Sequence, residues 1–423
     1  MTSEFLISDV RLFDGEDVVE RASVLVREDR IVSVDRAASG APGTPEGMSV
    51  VEGAGRTLLP GLFDAHAHPT PPALELAILF GVTTELDMFT TPERLGGQRE
   101  QARTRNDVAD FRSASTGATV LGGHPSMLIG LSFRDQFPVV NSVDDAAAFV
   151  AARVTEGADF IKLLIDDGSA MGHPSPTLTR EMAGAIVEEA HRHGLLAVAH
   201  ATSRDGAAQA VDAGVDGLVH VFMDRDADDE IVRLIADAGI FVIPTLSTMG
   251  SLAGDLTGEE LAHDARTEGL IPDDWRGNLC RCWELGSPSR LAHAMQATGR
   301  LHHAGVPLLA GTDAADVGVL GTAHGVSLHG ELSLLVDAGL TPIDALRAAT
   351  STPADRFGLT DRGRVRSGLQ ADLVLVDGDP TTTVTDSLSI VEVWRRGTRV
   401  PRELSASLTP PPFTPAVAAT PTG

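Results

Sequence analysis

The chain has 423 residues, 43% of them hydrophobic, and its 59 Asp and Glu outweigh 33 Lys and Arg to leave a formal charge of -26 at neutral pH. That balance supports a large core and argues against nucleic-acid and anionic-membrane partners, because both select basic surfaces. The length exceeds one ordinary domain, although an α/β barrel can use roughly 250 residues as a unit, so one large domain with a smaller companion is expected.

The opening stretch MTSEFLISDVRLFDGEDVVE has no basic start followed by an apolar run, and nowhere does the sequence hold the ~18 apolar residues of a membrane helix. A cytoplasmic location is the expectation. Residues 5–52 alternate short β-rich runs (FLISDVRLF, ASVLVRE, RIVSVDR) with Gly and Asp turns, which predicts a small antiparallel sheet. Between residues 57 and 364, strand-like segments alternate with helical ones. The strand candidates are TLLPGLFDA, VTTELDM, GATVLGG, ADFIKLLID, LLAVAHA, DGLVHVF, IFVIPTL and VPLLAGTDA.

The helical period is clear in DADDEIVRLIADAG, where Ile231, Leu234, Ile235 and Ala238 share one face. Gly157, Gly194, Gly214, Gly239 and Gly305 stand just before the next strand, where a left-handed C-cap is favoured. Eight strands with helices between them predict a (β/α)8 TIM barrel, with an open doubly wound sheet as the alternative. Residues 247–288, which include Trp275 and Trp283, are too long for a plain loop and read as an insertion, either a lid or a packed structural element. Cys280 and Cys282, the only two cysteines, cannot supply a disulfide framework.

The β pattern returns in ADLVLVDG and IVEVWRRGTRV. Both ends are therefore expected to build one small β-sandwich domain, residues 1–56 with 365–402, around the barrel. Residues 403–423 are rich in Pro, Thr and Ala and are expected to form a disordered tail or a strap.

Polar residues recur at the ends of the apolar strands. DAHAHP places His66 and His68 two apart, on one side of a strand, where both imidazoles can reach one ion. The fourth strand carries Lys162, the only lysine in the chain. The fifth ends at His200, the sixth at His220, and the eighth in GTDA with Asp313. Any one such histidine is ordinarily a hydrogen-bonded structural residue. Together they would all face the barrel mouth, where this architecture places its chemistry.

The set LPGLFDAHAHP, FIKLLID, His200, His220, GTDA and GLQADLVLVDGDP resembles the metal-dependent amidohydrolase superfamily over residues 5–400. It is most similar to the imidazolonepropionase-related branch, with its dipeptidases, carboxypeptidases and ochratoxin-hydrolysing enzymes. The resemblance implies two divalent ions, most readily zinc, with manganese or iron compatible. It further implies that Lys162 takes up CO2 as a carbamate bridging the ions, that His66, His68 and Asp313 hold one, and that His200 and His220 hold the other. Burial favours the neutral amine that CO2 requires, which arginine cannot offer. Two ions bring about +4, against roughly -3 from carbamate, Asp313 and a bridging hydroxide, leaving positive charge for a developing oxyanion. Asp313 would act as the general base.

The implied activity is hydrolysis of an amide C-N bond in a small molecule. On the substrate side the candidates are His124 in LGGHP, which can polarise the carbonyl as a catalytic residue, then His173, His324 and His329, with Arg134 for an anionic group. Related dipeptidases carry a tyrosine after the fifth-strand histidine, whereas this chain reads HATSRDG and contains no tyrosine at all. A non-peptide amide, an ester or a lactone therefore stays open. Two other readings are a mononuclear imidazolonepropionase-like enzyme, which needs no Lys162, and a non-catalytic scaffold, which would have lost ligands. Deamination lacks the glutamate expected three residues after a strand-end histidine. Relatives are often oligomers, so the resemblance also implies a homo-oligomer.

Overall fold

A computed structural model describes residues 4–36, 48–126, 138–283 and 289–408. Arg134, residues 284–288 of the insertion and residues 409–423 of the expected tail lie outside the described residues. Strands from the two ends of the chain share one eight-stranded sheet. Its members are β1 (Glu4–Phe13), β2 (Val18–Arg27), β3 (Arg30–Asp35), β4 (Ser49–Glu52), β5 (Arg56–Pro60), β13 (Leu373–Asp377), β14 (Ile390–Arg395) and β15 (Thr398–Val400). Alternating apolar residues give this sheet its own core, in which Phe5 stacks on Trp394 at 5.5 Å. β4 and β5 run parallel to β1 and not antiparallel as the alternating runs suggest. The chain returns to β1 after a longer excursion, since a tight hairpin can join only antiparallel neighbours.

TLLPGLFDA is two strands instead of one. β5 ends at Pro60, and β6 (Leu62–Ala67) begins a parallel sheet with β7 (Val82–Asp87) and β8 (Asp110–Ser113). The joint is Gly61, where a Cβ would lie 2.2 Å from the hydroxyl oxygen of Thr83. A second parallel sheet contains β9 (Ile161–Leu164), β10 (Ala197–His200), β11 (Gly217–Val219) and β12 (Phe241–Ile243).

Backbone bridges lace these two sheets together on both flanks. Ala118 pairs with Leu163 on one side; Val242 pairs with Leu308 and Ala67 with Ala314 on the other. GATVLGG contributes only the bridge at Ala118, because β8 precedes it and the chain turns at Ser115, φ 57°. VPLLAGTDA likewise makes single bridges and no regular strand: the Thr312 amide and hydroxyl both turn to the Asp64 carboxylate.

The helices follow their sequence signals. The segment Asp229–Ala238 starts where Asp228 accepts the Ile231 amide at 2.8 Å, buries Ile231, Val232 and Ile235, and ends at left-handed Gly239. Among the described residues, no helix is long and apolar enough to cross a membrane.

The insertion is a packed element. Its helix Leu246–Ala253 begins with Leu246 and Ser247 amides held by Glu331 at 2.9 and 2.8 Å. Thr248 donates to the Thr312 carbonyl and Ser251 to that of Leu320, at 2.8 and 2.6 Å. Asn278 then clamps the loop after Asp313: its side chain donates to the Val319 and Thr322 carbonyls and accepts from the Gly318 amide.

Asp110 on β8 joins the parallel and terminal sheets. It accepts from Arg362 at 2.6 Å, Arg112 at 3.2 Å and Arg395 of β14 at 3.3 Å. Burial alone would raise this carboxyl, but Arg362, Arg112 and Arg395 hold it below the usual range. Its stabilisation is therefore present above the unfolded carboxylate pKa and is lost as pH falls through the lower folded value. Asp110→Ala leaves buried guanidinium charge uncompensated and is expected to cost about 3 kcal/mol, read as a lower urea midpoint at pH 7. An unchanged midpoint would show that the network does not hold the two sheets together.

Candidate metal centre

Period-two alternation puts His66, in β6, and His68, one residue beyond its end, on the same side of the chain. Both reach one carboxylate oxygen, since Asp313 Oδ1 lies 3.2 Å from His66 Nε2 and 3.0 Å from His68 Nε2. The backbone enforces this approach. Asp313 has φ 58° and donates its amide to the His66 carbonyl at 2.7 Å, while Asp64 accepts the His66 amide at 3.2 Å.

His220 arrives from the end of β11 with its ring 4.6 Å from that of His66 and 4.5 Å from that of His200. Ligating atoms of His66, His220 and Asp313 all lie within 4.8 Å of one another. Neither ring nitrogen of His66 makes a well-directed hydrogen bond among the described residues: buried Nδ1 has no partner, and buried Nε2 has only the 3.2 Å contact to Asp313. Leaving such a group unsatisfied costs about 1–3 kcal/mol, so the site is built for a partner that is not a protein hydrogen bond.

The protonation states agree with that. Burial, reinforced by Lys162, pushes His66 down to about 3. Burial and then His200 drive His220 well below the ordinary imidazole value. Burial alone would raise Asp313, but the imidazoles of His66, His68 and His220 keep it well below the usual carboxylate range. Unprotonated imidazoles beside an ionised carboxylate are the donor set of a divalent transition-metal ion.

Lys162 sits within β9 at 3% exposure. Burial lowers its ammonium to about 7, against the opposing pull of Asp313 and Asp87. Asp87, at the end of β7, was not among the residues expected from sequence. Burial raises it to about 7; it accepts from the Ser113 hydroxyl, and its other oxygen has no hydrogen-bond partner among the described residues.

His124 stacks on His200 with ring centroids 4.9 Å apart. Although one edge of His124 reaches solvent, the surrounding protein and then His200 lower it to about 4. His200 Nε2 contacts Asp166 Oδ2 at 2.7 Å, and His220 Nδ1 contacts the Thr245 hydroxyl at 2.6 Å. Asp166 and Thr245 are also not expected from sequence, yet Asp166, like Asp313, is a carboxylate just past a strand end. Burial would raise Asp166, but His200 and the Gly168 amide bring it below its ordinary range.

The remaining expected substrate contacts are not brought into this cluster. His173 is exposed on the loop after β9. His324 is fully buried, with Nδ1 3.1 Å from Glu85 and its ring against the edge of Trp275. Burial lowers His324, but Glu85, with Asp64 and Asp316 adding to it, turns the net shift upward. His329 has both nitrogens engaged, by Ser387 at 2.9 Å and the Phe80 carbonyl at 3.0 Å, and burial lowers it to about 4. His324 and His329 thus pin the helix Val326–Asp337 and its approach.

The family model of amidohydrolases matches residues 57–400, which span every member of this cluster. The chain belongs to the amidohydrolase family. Among curated amidohydrolase relatives, an ochratoxinase of Aspergillus niger is 26% identical over 270 residues, 61% of this chain and 50% of the relative, so the chain spans about half of that protein's length. A 5-methylthioadenosine/S-adenosylhomocysteine deaminase of Halobacterium salinarum is 27% identical over 362 residues, 82% of this chain and 79% of the relative. A Xaa-Pro dipeptidase solved with methionine in its active site has the same fold, with a TM-score of 0.75 at 22% identity over 94% of this chain and 99% of that one.

Because Lys162 is the only lysine and is held near 7, a small amine-selective reagent on metal-free protein should label it with a midpoint near 7, against ~10.4 for an ordinary lysine. Mass spectrometry of the labelled peptide between pH 5 and 10 checks this. A midpoint near the ordinary value would mean that the amine stays protonated at neutral pH.

Proposed function

We propose that this amidohydrolase is a metal-dependent hydrolase that cleaves an amide C-N bond of a small molecule. The observation that carries the reading is the convergence of His66, His220 and Asp313 within 4.8 Å, with His66 buried and otherwise unpartnered. The laced parallel sheets support a (β/α)8 barrel, and the cluster then occupies the C-terminal strand ends where barrel enzymes work.

In this reading His66, His68 and Asp313 hold one divalent ion, and His200 and His220 a second. Lys162, if carbamylated, would add oxygen ligands for such ions; zinc would suit the donors best, and manganese or iron would also fit. Such ions supply an acidified water and a polarised carbonyl. Asp313, ionised and adjacent to both His66 and His68, takes the proton of the attacking water and returns it to the leaving nitrogen. Neutral His124 has one N-H to offer the substrate oxygen from the solvent-facing side.

The likeness to a deaminase brings a second reading, but the residues three after His200 and His220 are Ser203 and Met223, neither an acid. Ser203 caps the helix Arg204–Asp212 by accepting the Gly206 amide at 3.1 Å. Amide hydrolysis is therefore preferred over hydrolytic deamination. The ochratoxinase and dipeptidase among the relatives support it, and the missing tyrosine favours a non-peptide amide, with an ester or lactone as the alternative on the same site.

Metal analysis of protein purified without added metal should find two ions per chain, and Lys162→Ala should empty at least one site. Asp313→Asn should lower kcat by about 10²–10⁴ on whichever of N-acyl amino acids, dipeptides, aryl amides or lactones is turned over. One ion per chain together with undiminished hydrolysis in Lys162→Ala would sink the binuclear form of the proposal.

A further inference from the structure

We infer that the cavity between the helix Ser351–Arg356 and the starts of β9 and β10 is a binding site for an apolar monocarboxylate, held by Arg356 at the strand ends remote from the metal cluster. The cavity has a volume of about 410 Å³, within the range of about 300–1,000 Å³ usual for small-molecule sites. Two of its lining residues fix where it lies: Phe160 immediately precedes β9 and Leu196 immediately precedes β10. His200, by contrast, ends β10. Leu196 and His200 are therefore separated by the length of the strand, roughly 13 Å at ~3.3 Å per residue. The inference goes beyond the hydrolytic site and does not rest on it.

The floor of this cavity is apolar and incompletely covered. One buried cluster of the parallel strands, which includes Val198, Val219 and Ile243, has Leu196, Phe357 and Leu359 packed against it, and these three are only partly buried. All three line the cavity. The Phe357 ring is set by two others, with centroids 5.1 Å from Phe160 and 5.4 Å from Phe241. An apolar ligand body laid on this floor would remove Leu196, Phe357 and Leu359 from water without rearranging the cluster beneath them.

Charge selects the other end of the ligand. Four charged side chains line the cavity, and three are already committed. Asp159 pairs with Arg99 and accepts the Ser113 amide at 2.8 Å; Asp355 holds Arg364 through two contacts, at 2.8 and 2.7 Å; Arg112 is bound to Asp110 at 3.2 Å. Among the described residues, the Arg356 guanidinium has neither a hydrogen bond nor an ion pair. It closes a helix of six residues and faces the cavity with its donors unspent. A guanidinium matches a carboxylate with two parallel N-H donors. A single negative charge is also what the site tolerates, because a phosphate dianion would bring its second charge close to the Asp159 and Asp355 carboxylates.

The test is calorimetry on the full chain with 4-phenylbutyrate, its neutral counterpart 4-phenylbutanol, acetate and inorganic phosphate. The parent should bind 4-phenylbutyrate more tightly than any of the other three. Arg356→Gln, which removes a side chain with no partner to strand, should weaken 4-phenylbutyrate about tenfold or more while leaving the thermal midpoint unchanged, and Arg356→Lys should recover part of the loss. Leu359→Gln should weaken the same ligand through the floor alone. Parent-like binding in Arg356→Gln, equal binding of the acid and the alcohol, tighter binding of phosphate, or no binding of 4-phenylbutyrate to the parent would each overturn the inference. So would an Arg356→Gln chain that keeps parent-like carboxylate binding but sediments as a smaller assembly, which would make this cavity a contact between copies of the chain.

Discussion

The carboxylate of Asp64 is the interaction on which the centre depends. One oxygen receives the amides of His66 and Thr312 and the other receives the Thr312 hydroxyl at 2.6 Å, so a single side chain seals the first parallel strand to the segment that ends in Asp313. Burial, with the charge of Glu85 adding to it, raises Asp64 to about 7, while its three donors pull the other way. Once that seam is closed, His66 and Asp313 have little freedom to separate. The histidine-aspartate convergence is then a consequence of backbone closure, and a cation entering the cluster meets a geometry that already exists.

Two kinds of cation serve two purposes in this molecule. Structural charge is guanidinium: Arg395 is buried to 0% exposure, donates to the Arg105 and Ala102 carbonyls and to Asp110, and stays protonated at neutral pH although burial lowers it to about 10. The only lysine is Lys162, whose ammonium burial lowers to about 7, a range that a guanidinium does not reach. The outcome is a core that holds fixed guanidinium charge against Asp110 and an amine of adjustable charge within β9.

His66, His68, Lys162 and Asp313 were legible in the sequence because period-two alternation and apolar flanks announce a strand end, and an ionisable residue there is conspicuous. β8 was not, since DFRS is short and polar and gives no alternation to read. Gly61 was equally silent: what divides TLLPGLFDA is the approach of Thr83, a contact made across the sheet. His324 and His329 looked like site residues because they follow Asp313 closely in the chain. Their hydrogen-bond partners, Glu85, Phe80 and Ser387, are distant in sequence. Asp87, Asp166 and Thr245 stand beside strand ends too, and a search for acceptors next to each histidine-bearing strand would have reached them.

The insertion and the loop behind Asp313 are fastened by Thr248, Ser251 and Asn278 into a single wall. Lengthening or replacing either half by itself would strand carbonyls that the other now satisfies. The two halves are thus a unit of inheritance. A change of length in either segment therefore has to be matched in the other, unless it falls in a loop that stands clear of that seam.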